Sequence, residues 1–402
     1  MRVQFVTWST PGHLFPMVPL ARAWQTAGHE VRVAAPESCR QAIGHAGLTA
    51  VAVGRPVDLV SLGRREDFRA WYDDDWAAGW AGRPEALTEA QEHTLRAASG
   101  RQLAVADAML DDLLAHAAQW RPDLVVYDPL SFAGPVLAAV LGVPGTAHGW
   151  EVATVLGTEL ADRRAGTPLP GYLELFERYG VAARPATRRL IDPTPPSMRL
   201  PETVPVERVE MRYVPYNGPG EVPRDLTGRA DIPRVCFTSG VALSKTGADA
   251  VTRTIDDMMT MTRGLTAEVV LAIGPGQRDL LPGLPEGVRV AEGVPFQLLL
   301  PHCDAVVHHG GAGTAMTAVH CRVPQLVLAQ SPIYSEVGHR VAAGGAGVVL
   351  TGAERTPERA ADTLAGLLRD DSYCSALTGL AAEAAAMPSP AEVVDILAAQ
   401  CP

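Results

Sequence analysis

The sequence predicts an α/β protein built from two doubly wound domains that face each other across a cleft. Three observations carry this expectation. Short apolar runs alternate with stretches of helical period through both halves of the chain. Each half opens on a strand, a tight turn and a helix, the unit from which doubly wound sheets are assembled. Between the halves lie Pro193-Thr-Pro-Pro196 and Tyr213-Val-Pro-Tyr-Asn-Gly-Pro-Gly-Glu-Val-Pro223, whose proline and glycine content reads as inter-domain punctuation. The 402 residues suffice for two cores, which puts the first domain at 1–212, a linker at 213–223 and the second domain at 224–380. A C-terminal helix within 381–402 is expected to return to the first domain.

Taken in order, Arg2 to Ser9 is a strand, Thr10 to His13 a turn, and Leu14 to Gly28 an apolar-periodic helix with Pro16 in its permissive first turn. His29 to Ala35 and Thr49 to Val53 are further strands. Ligands of such sheets sit outside the strand C-termini, so His13 lies where chemistry would be placed, and a helix-capping role fits the same position. The rhythm breaks over Arg55 to Ser99, where Trp71, Trp76 and Trp80 stand among acidic residues. An insertion of this kind is either a lid over an acceptor or a solvated surface element. Arg101 to Gln119 is an amphipathic helix. Asp123 to Asp128 is a buried strand that ends in a carboxylate on the edge where His13 lies; it can pair with that imidazole or cap the helix near Phe132 to Leu141. Val143 to His148 is another strand, after which the pattern weakens from Arg163 to Thr194.

The second half repeats the scheme with strand Arg234 to Thr238, turn Ser239-Gly240 and a helix from about Ala248. Strands follow at Glu268 to Ile273, Val288 to Ala291 and Gln325 to Ala329, then a loop from Gln330 to Glu336 and a helix that ends at Gly344-Gly345. Its centre is Ala305-Val-Val-His-His-Gly-Gly-Ala-Gly-Thr314, an apolar run that stops at two histidines and turns through three glycines into a helix. Glycines let the backbone approach phosphate oxygens, the first helical N–H groups lack partners, and His309 can donate a hydrogen bond. That is a diphosphate site in outline, and a plain strand–helix connection would look the same.

Composition removes several classes. A net charge of −11 with no Lys/Arg run longer than two argues against a nucleic-acid partner. No apolar run approaches the roughly 18 residues of a membrane span, and the first residues form a strand without a cleavage site, so a cytoplasmic protein is expected. Six cysteines without a C-x-x-C pair signal neither a zinc knuckle nor a disulfide framework.

Six stretches together resemble one family: Gly12-His-Leu-Phe-Pro16, Met211-Arg-Tyr-Val-Pro-Tyr-Asn-Gly218, Val294-Pro295 ahead of Leu-Leu-Pro-His-Cys-Asp304, His308-His-Gly-Gly-Ala-Gly-Thr314, Gly345-Ala-Gly347 and Met387-Pro-Ser-Pro390. They are similar to the bacterial antibiotic glycosyltransferases, GT-B enzymes of glycosyltransferase family 1 that decorate polyketides and macrolides. The resemblance covers nearly the whole chain apart from the insertion around Trp71 to Trp80. It implies that the second domain holds a nucleotide-diphospho-sugar and the first an acceptor. By matching positions, His309, Gly310, Gly311, Gly313 and Thr314 would contact the diphosphate, Ser239 and Gly240 would close over it, and the backbone of Val294 would meet the base. Transfer would be inverting and metal-independent, with a TDP-sugar as co-substrate and no cofactor. His13 would be the general base and Asp128 its orienting carboxylate. Trp71, Trp76, Trp80 and His148 are candidates for acceptor contact.

Two departures bear on the donor. Gly293 stands where many relatives have a tryptophan that stacks on the base, and Ile333-Tyr334 fills the slot of an Asp-Gln pair that binds sugar hydroxyls. A buried polar group without its partner costs ~1–3 kcal/mol, so the loss of that pair suits a deoxygenated sugar, with Ser331, Tyr334, Ser335 and Glu336 as the remaining contacts. The rival readings are a sugar-nucleotide epimerase of the same fold and a non-catalytic regulator. A nicotinamide dehydrogenase would want G-x-G-x-x-G after its first strand, and Ser9-Thr-Pro-Gly-His13 does not supply it. A homodimer stays open, as does a separate activator protein, which some deoxysugar transferases of this branch require.

Overall fold

The computed structural model describes the chain except for residues 9, 60, 63–64, 74–75, 151–156, 202–204, 223–225, 227, 229–230, 239–247, 282 and 402. Its contacts divide into two units. One comprises Met1–Thr194, Leu200–Val214 and Ala386–Pro402; the other comprises Pro195–Arg199 and Pro215–Ala385. The division thus cuts through the stretch read as a linker at 213–223. Asn217 explains the early crossing: its side-chain amide donates to Gln297 Oε1 at 2.9 Å and to Thr317 Oγ1 at 3.1 Å, which ties this segment to the second unit. At the far end, helix Ser372–Ala386 lies almost wholly in the second unit, whereas helix Pro390–Ala398 packs on helix Val18–Thr26 of the first. Ser389 starts that last helix with a capping box to Glu392, and Pro390 takes the first helical position, where a missing N–H costs nothing.

The first unit carries a seven-stranded parallel sheet. From edge to edge its strands are Thr49–Ala52, Glu30–Ala35, Arg2–Val6, Leu124–Tyr127, Gly145–His148, Arg189–Asp192 and Glu207–Glu210. The second carries six parallel strands in the order Val288–Glu292, Glu268–Ile273, Arg234–Thr238, Ala305–His308, Gln325–Leu328 and Gly347–Leu350. Both orders reverse beside the first strand of the unit, which is the switch point where ligands of such sheets are bound. Central strands such as Leu124–Tyr127 and Ala305–His308 are buried at every residue because helices cover both faces, hence their continuous apolar runs. In the first unit Met109, Leu110 and Leu113 of helix Glu89–Trp120 pack with Val136 and Leu137 of helix Ala133–Leu141 against one face of the sheet.

Four local expectations are corrected. Thr10 to His13 is not a turn: Pro11–Leu14 is already helical and runs through Phe15–Met17 into Val18–Thr26, with prolines in the permissive early positions that fix φ near its helical value. The helix placed from Arg101 begins at Glu89, where Thr88 and Gln91 form a capping box. Gln330 to Glu336 is not all loop, since Pro332–Ala343 is a helix. The weak stretch after Arg163 contains helix Pro170–Glu177 and strand Arg189–Asp192. Among the described residues no helix is long and apolar enough to cross a membrane.

Candidate active site

Parallel pairing assembles the first cluster. Val6 pairs with Tyr127 and Tyr127 with Ala147, so Thr7, Asp128 and His148 leave three adjacent strands side by side. His13 stands in the helical turn that follows the first of them. Its Nδ1 lies 2.6 Å from Asp128 Oδ2, and the two side chains are 13% and 0% exposed. Asp128 is itself held: its other oxygen accepts the Leu130 N–H at 2.8 Å and its own N–H donates to Val6 O at 3.0 Å. An ionised carboxylate only accepts, so Nδ1–H donates to it and Nε2 keeps the free lone pair that a general base requires.

Of the residues expected at the acceptor, His148 is misplaced for that role. It is fully buried, its Nδ1–H donates to Gly149 O at 2.7 Å, and burial lowers its pKa to about 4, so it is a neutral interior group. Trp80 is also buried, at 3% exposure, and packs edge-on to Trp76 with ring centroids 4.7 Å apart. Trp76 in turn meets Trp71 at 6.0 Å and donates from Nε1 to Ala70 O at 2.7 Å. The three indoles form one small core, of which only Trp71 and Trp76 keep part of their surface in solvent.

The second cluster surrounds the glycine turn. His308 is buried, accepts the Gly310 N–H on Nδ1 at 3.1 Å and donates from Nε2 to Gln325 Oε1 at 3.0 Å. Gln325 in turn donates to Ala315 O at 3.2 Å, so one side-chain bridge fixes the turn to the helix that follows it. Gly310 has φ of +102°, and a Cβ there would stand 2.6 Å from Tyr334 O. Helix Ala312–Cys321 starts from Gly311, which has no side chain to cap it, and the positive end of the helix dipole there favours an anion. Among the described residues a Cβ on Gly313 would meet nothing within 4 Å, whereas Thr314 is buried at 8% exposure. His309 packs edge-on to Tyr334 at 4.7 Å, and a Cβ on Gly311 would lie 2.9 Å from its Nε2. Burial lowers the His309 pKa to about 4, so near neutral pH it offers an N–H from an uncharged ring, and an arriving anion would favour its protonation. Ser331 is the N-cap residue of helix Pro332–Ala343, and Tyr334, Ser335 and Glu336 lie in its first turns with Glu336 buried. Val294, half-buried, follows Gly293, whose N–H donates to Ile273 O at 2.9 Å. Ser239 and Gly240 lie outside the described residues.

Three imidazoles, two buried and one half-buried, predict how stability responds to acid. His148 and His309 are lowered to about 4 and His308 to about 3, all below the 6.5 of a free imidazole. Between those values the unfolded chain binds more protons than the folded one, so stability rises with pH in that window and is lost as pH falls from about 6.5 toward 3. Each group contributes up to about 1.4 kcal/mol per pH unit where it differs between the states. Urea midpoints should therefore fall steeply from pH 6.5 to 4; a flat profile would show that these rings are not held neutral.

Sequence reasoning pointed to His13, Asp128 and His309 but passed over His308, whose bond to Gln325 spans two strands, and Trp150, whose ring lies 4.1 Å from that of His13. Among the described residues no group of three or more His, Cys, Asp or Glu could hold a metal ion.

Comparison with known proteins identifies the assembly. The family described as "Erythromycin biosynthesis protein CIII-like" matches with its N-terminal domain at residues 22–240 and its C-terminal domain at 256–400. The 3-alpha-mycarosylerythronolide B desosaminyl transferase of Saccharopolyspora erythraea is 34% identical, over 98% of this chain and 97% of that protein. The 10-deoxymethynolide desosaminyltransferase of Streptomyces venezuelae is 36% identical, over 98% and 96%. The spinosyn rhamnosyltransferase SpnG, solved with thymidine diphosphate, superposes with a TM-score of 0.80 at 32% identity, covering 99% of this chain and 100% of that one. Its complex with spinosyn aglycone gives the same TM-score at 31% identity and the same coverage. With both domains matched and full-length relatives above 30% identity, the chain belongs to the EryCIII-like bacterial antibiotic glycosyltransferases and is a glycosyltransferase of GT-B fold.

Proposed function

We propose that the protein transfers a deoxysugar from a TDP-activated donor to a polyketide or macrolide aglycone, with inversion at the anomeric carbon and without a metal ion. The observation that carries this reading is the 2.6 Å pair of His13 Nδ1 and Asp128 Oδ2 at the switch point of the first sheet. The acceptor hydroxyl gives its proton to His13 Nε2 while its oxygen forms the bond to the anomeric carbon. The electrons of the breaking carbon–oxygen bond leave with the diphosphate. Its charge is met by the first N–H groups of helix Ala312–Cys321 and by His309, a fixed set of donors that needs no divalent cation. Relatives named for desosaminyl transfer, and the likeness to a rhamnosyltransferase solved with thymidine diphosphate and with its aglycone, support the substrate classes.

The direct test is protection by TDP. A ligand that binds only the folded state raises its stability by RT ln(1 + [L]/Kd), about 2.7 kcal/mol at a hundredfold excess over Kd. His309→Ala should lose most of that protection, and equal protection of both proteins would reject the donor assignment. Turnover unaffected by EDTA is expected, and loss of activity on adding it would reject the metal-free mechanism.

Donor choice gives a separate expectation. With Ile333-Tyr334 in place of an Asp-Gln pair, a TDP-deoxysugar should be turned over much faster than TDP-glucose or UDP-glucose. Preference for the hydroxylated sugars would overturn this. Ile333→Asp with Tyr334→Gln should narrow the gap, while also freeing the His309 ring from its edge contact with Tyr334.

A further inference from the structure

The pair of His13 and Asp128 fixes one nitrogen of the imidazole and leaves open what fixes the ring plane and what surrounds Nε2. Trp150 answers both. It follows His148 and Gly149 at the end of a strand, and the Gly149 N–H donates to Ile191 O at 2.8 Å, so the backbone that presents the indole is tied to the sheet. The half-buried indole packs on the His13 ring with centroids 4.1 Å apart and an interplanar angle of 42°. Trp8 lies near the same imidazole at 6.2 Å. A ring that is hydrogen-bonded at Nδ1 can still pivot about that bond, and an indole in van der Waals contact with it opposes the pivot.

The second effect is electrostatic. When His13 takes the acceptor proton it becomes a cation, and a cation within about 6 Å of an indole centroid is attracted to the π face. Neutral imidazole lacks that attraction, so the contact strengthens as the proton arrives, and an interaction stronger in the transition state than before it accelerates the step. Asp128 is bonded to Nδ1 of this ring, and His148, which follows in the next strand of the sheet, is neutral through burial.

We propose that Trp150 is a positioning residue for His13, one that holds the imidazole plane and stabilises its protonated form during transfer. The inference rests on the reading of His13 as general base, and two measurements separate the failure of one from that of the other. The first needs no turnover. An indole's emission reports what packs against it, so His13→Gln should change the tryptophan emission of the wild-type protein, and the same substitution made in Trp150→Phe should change it far less. If wild type and His13→Gln emit alike, the contact does not exist in solution and the proposal falls, whatever the role of His13.

The second measurement is turnover at saturating donor. Trp150→Leu should lower kcat roughly 3- to 30-fold on an aliphatic alcohol acceptor, the range expected of a cation–π contact, with donor KM unchanged. Trp150→Phe keeps a π face and should restore most of that loss. A phenol, which needs less help in losing its proton, should suffer less from Trp150→Leu. Equal losses on alcohol and phenol, or equal losses in the Leu and Phe variants, would show that Trp150 only supports the fold. If His13→Ala is fully active while the emission change persists, the base assignment fails and the positioning role fails with it.

Discussion

Replacing His13 by alanine is expected to lower kcat by roughly 10²- to 10⁴-fold, the usual contribution of a general base, and to leave TDP affinity unchanged. The separation follows from the fold, because His13 belongs to the first unit and the glycine turn to the second. Asp128→Asn should produce a loss of similar order for a different reason. The Asp128 oxygen that accepts the Leu130 N–H at 2.8 Å would remain an oxygen in asparagine, which turns the new NH₂ toward His13 Nδ1. Nδ1 would then have to accept, the ring proton would move to Nε2, and the base would be occupied in its resting state. Asp128→Ala is the poorer probe because it also removes the acceptor for Leu130. Acceptor turnover at saturating donor, measured beside TDP affinity, decides the matter. Full activity in His13→Ala overturns the assignment, whereas loss of TDP binding would move the histidine to the donor site. A phenolic acceptor should lose less than an alcohol.

The parts of this architecture that the sequence displays are those fixed by local pattern. Strands Arg234–Thr238 and Glu268–Ile273 fall where the apolar runs put them, because a parallel strand covered on both faces has no polar positions to blur its ends. Strand Glu207–Glu210 was not legible: it pairs on only one side, at the sheet edge, and with Glu-Arg-Val-Glu it buries a single residue. The early start of helix Glu89–Trp120 was hidden by its polar first turns, although Thr88 and Gln91 carried the capping signal. At the site the rule was the same. His13 and Asp128 each end or follow a strand, and sheet topology alone brings them to one edge. The bridge from His308 to Gln325 and the contact of Trp150 with His13 depend on register between segments far apart in sequence, which no local period encodes.

Two glycines of the turn should respond in opposite ways to one added methyl group. Gly310 holds φ at +102°, where an L side chain is strained by about 1–3 kcal/mol, and its Cβ would stand 2.6 Å from Tyr334 O and 2.8 Å from Tyr334 Cβ. The nearest of these is backbone, so the turn itself must move, breaking the 3.1 Å bond from Gly310 N–H to His308 and displacing the helix start behind it. Gly310→Ala is therefore expected to lower the melting temperature of the free protein and abolish protection by TDP. Gly313 lies inside the first turn of helix Ala312–Cys321, and among the described residues its Cβ would meet nothing within 4 Å. Alanine is favoured over glycine in a helix by about 0.8–1 kcal/mol, so Gly313→Ala should leave the free protein as stable as before or more so. If the diphosphate rests on the N–H groups of that turn, however, the same methyl group intrudes on the space it occupies, and TDP protection should shrink in a protein that has gained stability. That opposition of sign cannot arise from a general weakening of the fold. Undiminished TDP protection in Gly313→Ala would mean that the phosphates lie elsewhere, and the turn would then be only the connection between a strand and a helix.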